Sequence, residues 1–455
     1  MPADAALALD RAKQALTWRK AEAERLDLIH KYLRDDPDEK LPWLPADAPI
    51  ELQRLARLSR VNVLQFIVGA RSQSLYADGY RTPKSADDEL AWEAWRRNRM
   101  TARQIGIHRA ALSYGAAYGY ALPGTPLPVI RGASPRDMTA VYGDDDEWPE
   151  YALLRRRSAE SGKHLYRLID DTYVWYVRTD THGESLEIAS DPLIHGARVD
   201  GMPVCPVVRY RETDDLDCNA IGIVEPYLLL QDQINVTSFG LQVAQHFGAF
   251  KQRYIIGWTA DSEQQRIKAS ASSFFTLDED PETIKLGEFS QTDLNGYITS
   301  REATLRHLAT VSQTPAHELT GQLINLSAEA LAAAEASKQR AVVENRTVLG
   351  EGHEQLLGLV TEMMGGEVDP QAEVVWRDTE SRSLAQVADA LGKLVQMLGV
   401  PAQELWELIP GVTSEQLARW KAKADEGDPL SQLAGVLDKQ MAAEQGAPDG
   451  SQPAG

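Results

Sequence analysis

The stretch "INLSAEALAAAEASKQRAVVENRTVLG", from Ile324 to Gly350, constrains this chain more than any other part of it. Ala is the best helix former, Glu, Lys, Gln and Arg follow closely, and neither Gly nor Pro intervenes before Gly350, so composition predicts one helix. Ser327 stands where an N-cap is needed, and Glu329 falls in the first turn, where the helix dipole favours a carboxylate. If Gly350 and Gly352 only kink the helix, "HEQLLGLVTEMMGG" carries it to a glycine stop at Gly365, giving a rod on the order of 55 Å. Few of its side chains are large and apolar. Three packing arrangements suit it: a solvated surface helix, a helix covered by the rest of its own chain, or small residues packed against copies of the same chain.

The remainder of the chain reads as α+β, mainly α. Residues 4–34 space Leu9, Ala12, Leu16, Ala23, Leu26, Ile29 and Leu33 as one amphipathic helix, broken by "PDEKLPWLPADAP". A second helix is predicted over Ile50–Leu75, and "SADDELAWEAWRRNRM" starts a third, with Trp92 and Trp95 at i, i+3 as core anchors. From Gly115 the texture changes to short runs such as "AAYGYALPG", "HLYRLID" and "TYVWYVRT", rich in Val, Ile and Tyr and separated by Asp, Gly and Pro, which predict an antiparallel β region. Asp170 and Asp171 mark a hairpin turn there. Helix returns after Pro226, followed by a strand-like insert around "SSFFTLDEDPETIKLGEF" and a further helix over 292–311. "AEVVWRD" reads as one more strand, and "SLAQVADALGKLVQML" and "PAQELWELI" as helices. The end, "EQGAPDGSQPAG", is small and polar, the composition of a disordered tail.

With 455 residues the chain exceeds a single-core limit and predicts two or more substructures. Its net charge of −20 argues against electrostatic wrapping of nucleic acid, which needs basic domains. Acidity does not exclude DNA as a passenger, because a passage that must not grip its cargo is better served by a negative wall. Two cysteines, Cys205 and Cys218, exclude a disulfide-dense scaffold and read as reduced thiols. No apolar run reaches the ~18 residues of a membrane span, and the first residues lack a signal-peptide pattern, so a cytosol-like setting without membrane is the expectation.

Chemistry is sparse in the pattern. "HEQLL" at His353 lacks the second histidine of a zinc-protease helix, and no phosphate loop occurs. Nine histidines lie scattered without a pair that suggests a nucleophile and its base. The acidic run from Asp144 to Glu147 reads as solvated. No catalytic residue, metal site or cofactor is therefore expected; the competing enzyme reading, a hydrolase with a helical appendage, has no motif behind it.

The order of segments carries more information. "IGIVEPYLLLQDQINVTSFGLQVAQHFGAFKQRYIIG", with its "QD…N" pattern at Gln231, Asp232 and Asn235, resembles the stem-helix entry of portal proteins from tailed double-stranded DNA phages. "NLSAEALAAAEASKQRAVVENR" is similar to their long helix, and "VVWRDTESRSLAQVADALGKLVQMLGVP" to their strand and first crown helices. "DELAWEAWRRNRM" matches the early part of the pattern. The resemblance implies a portal-type subunit of a ring, usually of twelve copies, at one capsid vertex, through which DNA is packaged and ejected. It implies a wing over 1–225, stem helices over 226–258 and 291–311, a clip over 259–290, and a tunnel loop over 312–326. A long kinked helix over 327–366, a crown over 367–425 and a tail over 426–455 complete the plan. Implied partners are copies of the chain, passing double-stranded DNA, a terminase packaging motor, a head-completion or adaptor protein, and major capsid and scaffolding proteins. The implied location is the virion, after synthesis in the host cytoplasm. Within that plan Gln313, His317 and Gln322 are the candidates to face DNA. Ala330, Ala333, Ala334, Ser337 and Arg340 are candidates for the subunit interface, and Lys251, Arg253, Arg266 and Lys268 for the charge near the stem–clip junction. Another ring or adaptor protein of the virion would differ in lacking the stem–clip–stem hairpin.

Overall fold

The computed structural model describes residues 3–34, 43–82, 89–144, 147–156, 164–179, 185–213, 216, 220–248, 253–256, 285–288, 293–321, 328–377, 384–409, 412 and 414–427. Helix α1 (Ala3–Arg34) runs as its periodicity predicts. Its buried stripe is Ala5, Ala8, Ala12 and Ala15 in the first half and Leu26 and Ile29 in the second, while Leu9 and Leu16 flank the stripe half-buried. The helix expected over Ile50–Leu75 is two helices, α2 (Ile50–Leu58) and α3 (Val63–Ser72). Asn62 explains the break. Its side-chain oxygen accepts the Gln65 N–H at 2.9 Å, capping α3, and its amide donates to the carbonyls of Tyr32 and Leu33 at the end of α1. Strand β1 (Ala77–Arg81) follows. The third predicted helix also divides, into α4 (Glu89–Arg97) and α5 (Met100–Tyr114), at Arg99 with φ 57°. Trp95 is fully buried and stacks on Trp92 with ring centroids 5.6 Å apart, as core anchors do.

The β region is antiparallel throughout its described ladders. Strands β2 (Ala116–Leu122) and β3 (Val129–Ala133) are followed by a five-stranded meander. Its strands are β4 (Met138–Val141), β5 (Tyr151–Arg156), β6 (His164–Ile169), β7 (Tyr173–Thr179) and β8 (Leu186–Ile194). A short hairpin, β9 (Arg198–Val199) and β10 (Met202–Pro203), leads to β11 (Val207–Arg211), which adds to β2 in the order β11-β2-β3. Alternation along the meander serves two cores. Tyr151, Leu153, Tyr166, Leu168, Trp175 and Val177 face the alanines of α1, whose small size lets helix and sheet approach closely. Ala152, Leu154, Ile169 and Val174 point the other way, onto Tyr118, Tyr120, Leu122 and Val207 of the three-stranded sheet. The β6–β7 turn is organised by buried Asp170. Its carboxylate accepts the Thr172 and Tyr173 N–H groups at 2.9 and 2.5 Å and the Trp175 indole N–H at 2.8 Å.

After a 3-10 turn (Glu225–Tyr227), α6 (Leu228–Gly248) leaves this body. The first stem helix was expected to reach 258. Instead α6 ends at Gly248, and β12 (Arg253–Ile256) pairs antiparallel with β13 (Lys285–Glu288). Tyr254, Ile255 and Ile256 are strand formers, so aromatic and β-branched preference ends the helix early. Helix α7 (Asn295–Val311) returns along α6, and the connector beyond it contains a short helix, α8 (Ala316–Thr320). The long helix α9 (Ala328–Met363) passes through Gly350 and Gly352 unbroken for 36 residues, about 54 Å. It stops at Gly365, φ 79°, as its glycine predicted. Strand β14 (Glu373–Trp376) pairs with β1, tying the later chain to the early helices. Helix α10 (Leu384–Leu398), a 3-10 helix (Ala402–Leu408) over the helical segment predicted at "PAQELWELI", and α11 (Ser414–Gly427) follow. The central core gathers α3, α4, α5, β1, β14, β11 and the second half of α9. The Ser327 cap, Cys218 and the tail from 428 lie outside the described residues, and Cys205 is a buried free thiol.

Candidate functional site

The two helices that leave and re-enter the body are clamped at their shared base. The Gln231 side chain is almost wholly buried. Its carbonyl accepts the Val63 and Leu64 N–H groups at 2.9 and 3.2 Å, two orphan donors of the first turn of α3, and its amide donates to the Val61 carbonyl at 2.6 Å. Asn235 accepts the Val61 N–H at 3.2 Å, and Asp232 accepts the Tyr32 hydroxyl at 2.7 Å. The "QD…N" pattern is thus a polar clamp between α6, α3 and α1. On the return side, the Tyr227 hydroxyl donates to the Val311 carbonyl and the buried Arg71 guanidinium to that of Ser312, both at 2.7 Å. These donors satisfy carbonyls left open at the end of α7. Burial lowers the Arg71 pKa and raises that of Glu212, whose field in turn favours the Arg71 charge. Higher up, a Cβ on Gly240 would meet the Tyr297 ring at 2.9 Å, so glycine is what lets α6 and α7 close together.

The connector begins with Gln313 at φ 53°, exposed, and ends its short helix at Gly321, φ 67°. His317 and Glu318 are half-buried against α9, where Lys338 donates to Glu318 at 2.7 Å. Gln322 lies outside the described residues, so the structure places two of the three connector candidates and gives them different environments. Ala330, Ala333, Ala334 and Arg340 are exposed and Ser337 is half-buried. Among the described residues, Ala333, Ala334 and Arg340 on this face of the long helix are thus solvent-exposed in one subunit. Arg253 is in β12, and Lys251, Arg266 and Lys268 lie outside the described residues.

The second half of α9 holds a polar chain that sequence spacing conceals. His108 on α5 and His353 on α9, 245 positions apart, approach with Nε2 to Nε2 at 2.8 Å. His108 Nδ1 lies 3.1 Å from the Leu75 carbonyl, and the Tyr210 hydroxyl lies 3.0 Å from His353 Nδ1. A carbonyl only accepts, so His108 donates from Nδ1, accepts at Nε2 from His353, and His353 Nδ1 accepts the Tyr210 proton. Every bond is satisfied with both rings neutral. Burial takes His108 down to about 4 and, with His108 as the second cause, holds His353 well below its usual range. A Cβ on Gly352 would meet the Tyr210 ring at 2.8 Å, so this glycine admits the tyrosine. The group is sealed from solvent and ties α5, β11 and α9 together; it is an internal lattice with no access for a substrate. Beside it, a groove of about 870 Å³ runs along α9, lined by Tyr142, Trp148, Arg209, Glu351 and Gln355 among others.

The described residues thus define a class of protein: a scaffold of clamped helices whose polar groups hold elements in register. The chain belongs to the phage portal family, matching the one described as "Phage portal protein, SPP1 Gp6-like" over residues 13–430. Portal proteins are structural, non-enzymatic components of the phage head. The portal protein of Mycobacterium phage D29 is 24% identical over 373 residues, covering 76% of this chain and 74% of that one. Two solved structures are also similar, each 16% identical. A chain of the virion of a native gene transfer agent particle has TM-score 0.48 and covers 81% of this chain and 95% of its own. A chain from the neck of such a particle, computed with C12 symmetry, has TM-score 0.46 and covers 79% of this chain and 91% of its own. No described helix is long and apolar enough to cross a membrane.

Proposed function

We propose that the chain assembles into a ring at one capsid vertex and that double-stranded DNA passes through the ring's channel during packaging and ejection. The observation that carries this reading is the excursion α6, β12–β13, α7: a helix leaves the body, two strands between the helices pair with each other, and a packed helix returns to the same base. That hairpin separates a portal from another ring or adaptor component. In this reading α6 and α7 are the stem, the region around β12 and β13 is the clip, and residues 1–225 are the wing. The connector at 312–326 is the tunnel loop, and residues 367–425 are the crown. Exposed apolar side chains on the stem, Leu229, Val236, Phe247 and Ile298, support burial between copies, and so does the bare alanine face of α9.

A charge of −20 per subunit suits a wall along which DNA slides without being held. DNA contact then falls to a few groups at the loop, with Gln313 and His317 as candidates. The clip is the docking place for a terminase motor and a head-completion protein, and the wing for capsid and scaffolding proteins, after synthesis in the host cytoplasm. Negative-stain imaging of purified protein tests the reading. Rings with a central hole are expected, and a strictly monomeric species at every concentration and salt would overturn it.

A further inference from the structure

The connector and the long helix bring together three side chains that local sequence does not associate. His317 and Glu318 stand on α8, and Glu335 on the first half of α9. One potential ligand atom from each lies within 4.8 Å of the other two. All three are half-buried. Lys338, one turn beyond Glu335, donates to one oxygen of Glu318 at 2.7 Å, which leaves that carboxylate its second oxygen. Among the described residues no hydrogen bond or ion pair engages the Glu335 carboxylate or either ring nitrogen of His317. Among the described residues the cluster therefore holds two carboxylates and an imidazole against one ammonium, with two of the three ligands unengaged.

We propose that His317, Glu318 and Glu335 bind a divalent transition-metal ion of the zinc type, which pins α8 to the long helix. An imidazole with two carboxylates suits Zn²⁺ or its neighbours in the first transition row, whereas Mg²⁺ and Ca²⁺ favour all-oxygen shells. Ligand atoms around tetrahedral zinc sit roughly 3.4 Å apart, as bonds of about 2.0–2.1 Å require. A separation at the 4.8 Å limit would contract by about 1.4 Å, within reach of rotamer changes on α8 and α9. Three protein ligands leave a fourth position for water. The ion would bridge positions 317 and 335, closing the segment between them. Its effect on the channel rests on reading 312–326 as the tunnel loop; the binding itself does not.

Calorimetric titration of full-length, chelator-treated protein with zinc chloride tests this, with magnesium and calcium chloride as controls. One saturable zinc site per chain is expected, with the two alkaline-earth ions at least about tenfold weaker. His317→Ala and Glu335→Gln should each weaken zinc by about tenfold or more, and Lys338→Met should tighten it by removing the competing ammonium. Zinc affinity unchanged in both ligand variants, or no saturable site in the parent, overturns the proposal. Metal-free variants should melt with the parent; if His317→Ala does not, Glu335→Gln, which keeps the side chain's size and shape at its half-buried position, decides. Imaging the same samples separates the two questions, because rings without zinc binding defeat only the metal site, and zinc binding without rings defeats only the portal reading.

Discussion

Residues 328–340 and 341–363 belong to one unbroken helix and meet opposite fates. In the first part Ala330, Ala333 and Ala334 are exposed, and the chain itself touches this part through Lys338 and Glu318. In the second part Val342, Leu349, Leu356, Leu357, Leu359 and Val360 are buried in the central core, and His353 joins the sealed polar chain. A helix that is polar and small on all sides cannot hold itself to a body by burial, whereas one with a wide apolar stripe must. The first half is thus free to meet something outside the subunit. Helix α1 sharpens the lesson, since Ala5, Ala8, Ala12 and Ala15 are fully buried on the chain's own sheet. Small residues permit close packing; the partner is chosen elsewhere.

The contrast can be broken experimentally, starting with its buried half. Leu356→Ala should destabilise the subunit by about 2–5 kcal/mol, read by denaturant unfolding, because a fully buried side chain leaves a cavity. A cost near zero would show the second half is not the anchor.

The polar chain makes a pH prediction. His108 falls from its ordinary value of 6.5 to about 4 in the folded state, so the unfolded chain binds protons first as pH drops. Its stabilisation is complete above about pH 6.5 and is lost as pH falls toward 4, by up to roughly 3 kcal/mol. Unfolding free energies at about pH 7.5 and about pH 5 should differ less in a His108→Gln, His353→Gln double variant than in the parent. An equal difference would sink the assignment.

At the boundary between the halves, buried Asn345 donates to the Glu212 carbonyl at 2.9 Å and its carboxylate at 3.2 Å. Asn345→Ala should cost about 1–2 kcal/mol, since half-buried Glu212 loses a donor. The smallest effect on subunit stability belongs to the exposed half. Ala333→Trp should change unfolding by no more than about 0.5 kcal/mol yet reduce ring yield in native mass spectrometry. Unchanged ring yield would place this face in solvent within the assembly.

Much of the element order was legible in the chain. Helix α1, the β-rich middle, the glycine stop at Gly365 and the strand at 373–376 follow from periodicity, β-branched runs and turn residues. What misled was capping chemistry that acts at a distance. Asn62 breaks an apparently continuous helix because it also serves the end of α1, and Arg99 divides another in a left-handed turn. The candidate site was legible only in outline: the "QD…N" pattern could be noticed, but its work, capping α3 from another helix, needs coordinates. The histidine pair and the His317, Glu318, Glu335 cluster left no trace in spacing.

By itself, then, the sequence determined where helices and strands form and that no local motif supports catalysis, because those properties depend on neighbours within a few residues. Tertiary structure decided which alanines are covered, which polar groups are paired and which ionisable groups stay neutral. Each depends on the distance to groups far away in the chain, as between His108 and His353, and burial alone turns such meetings into energy.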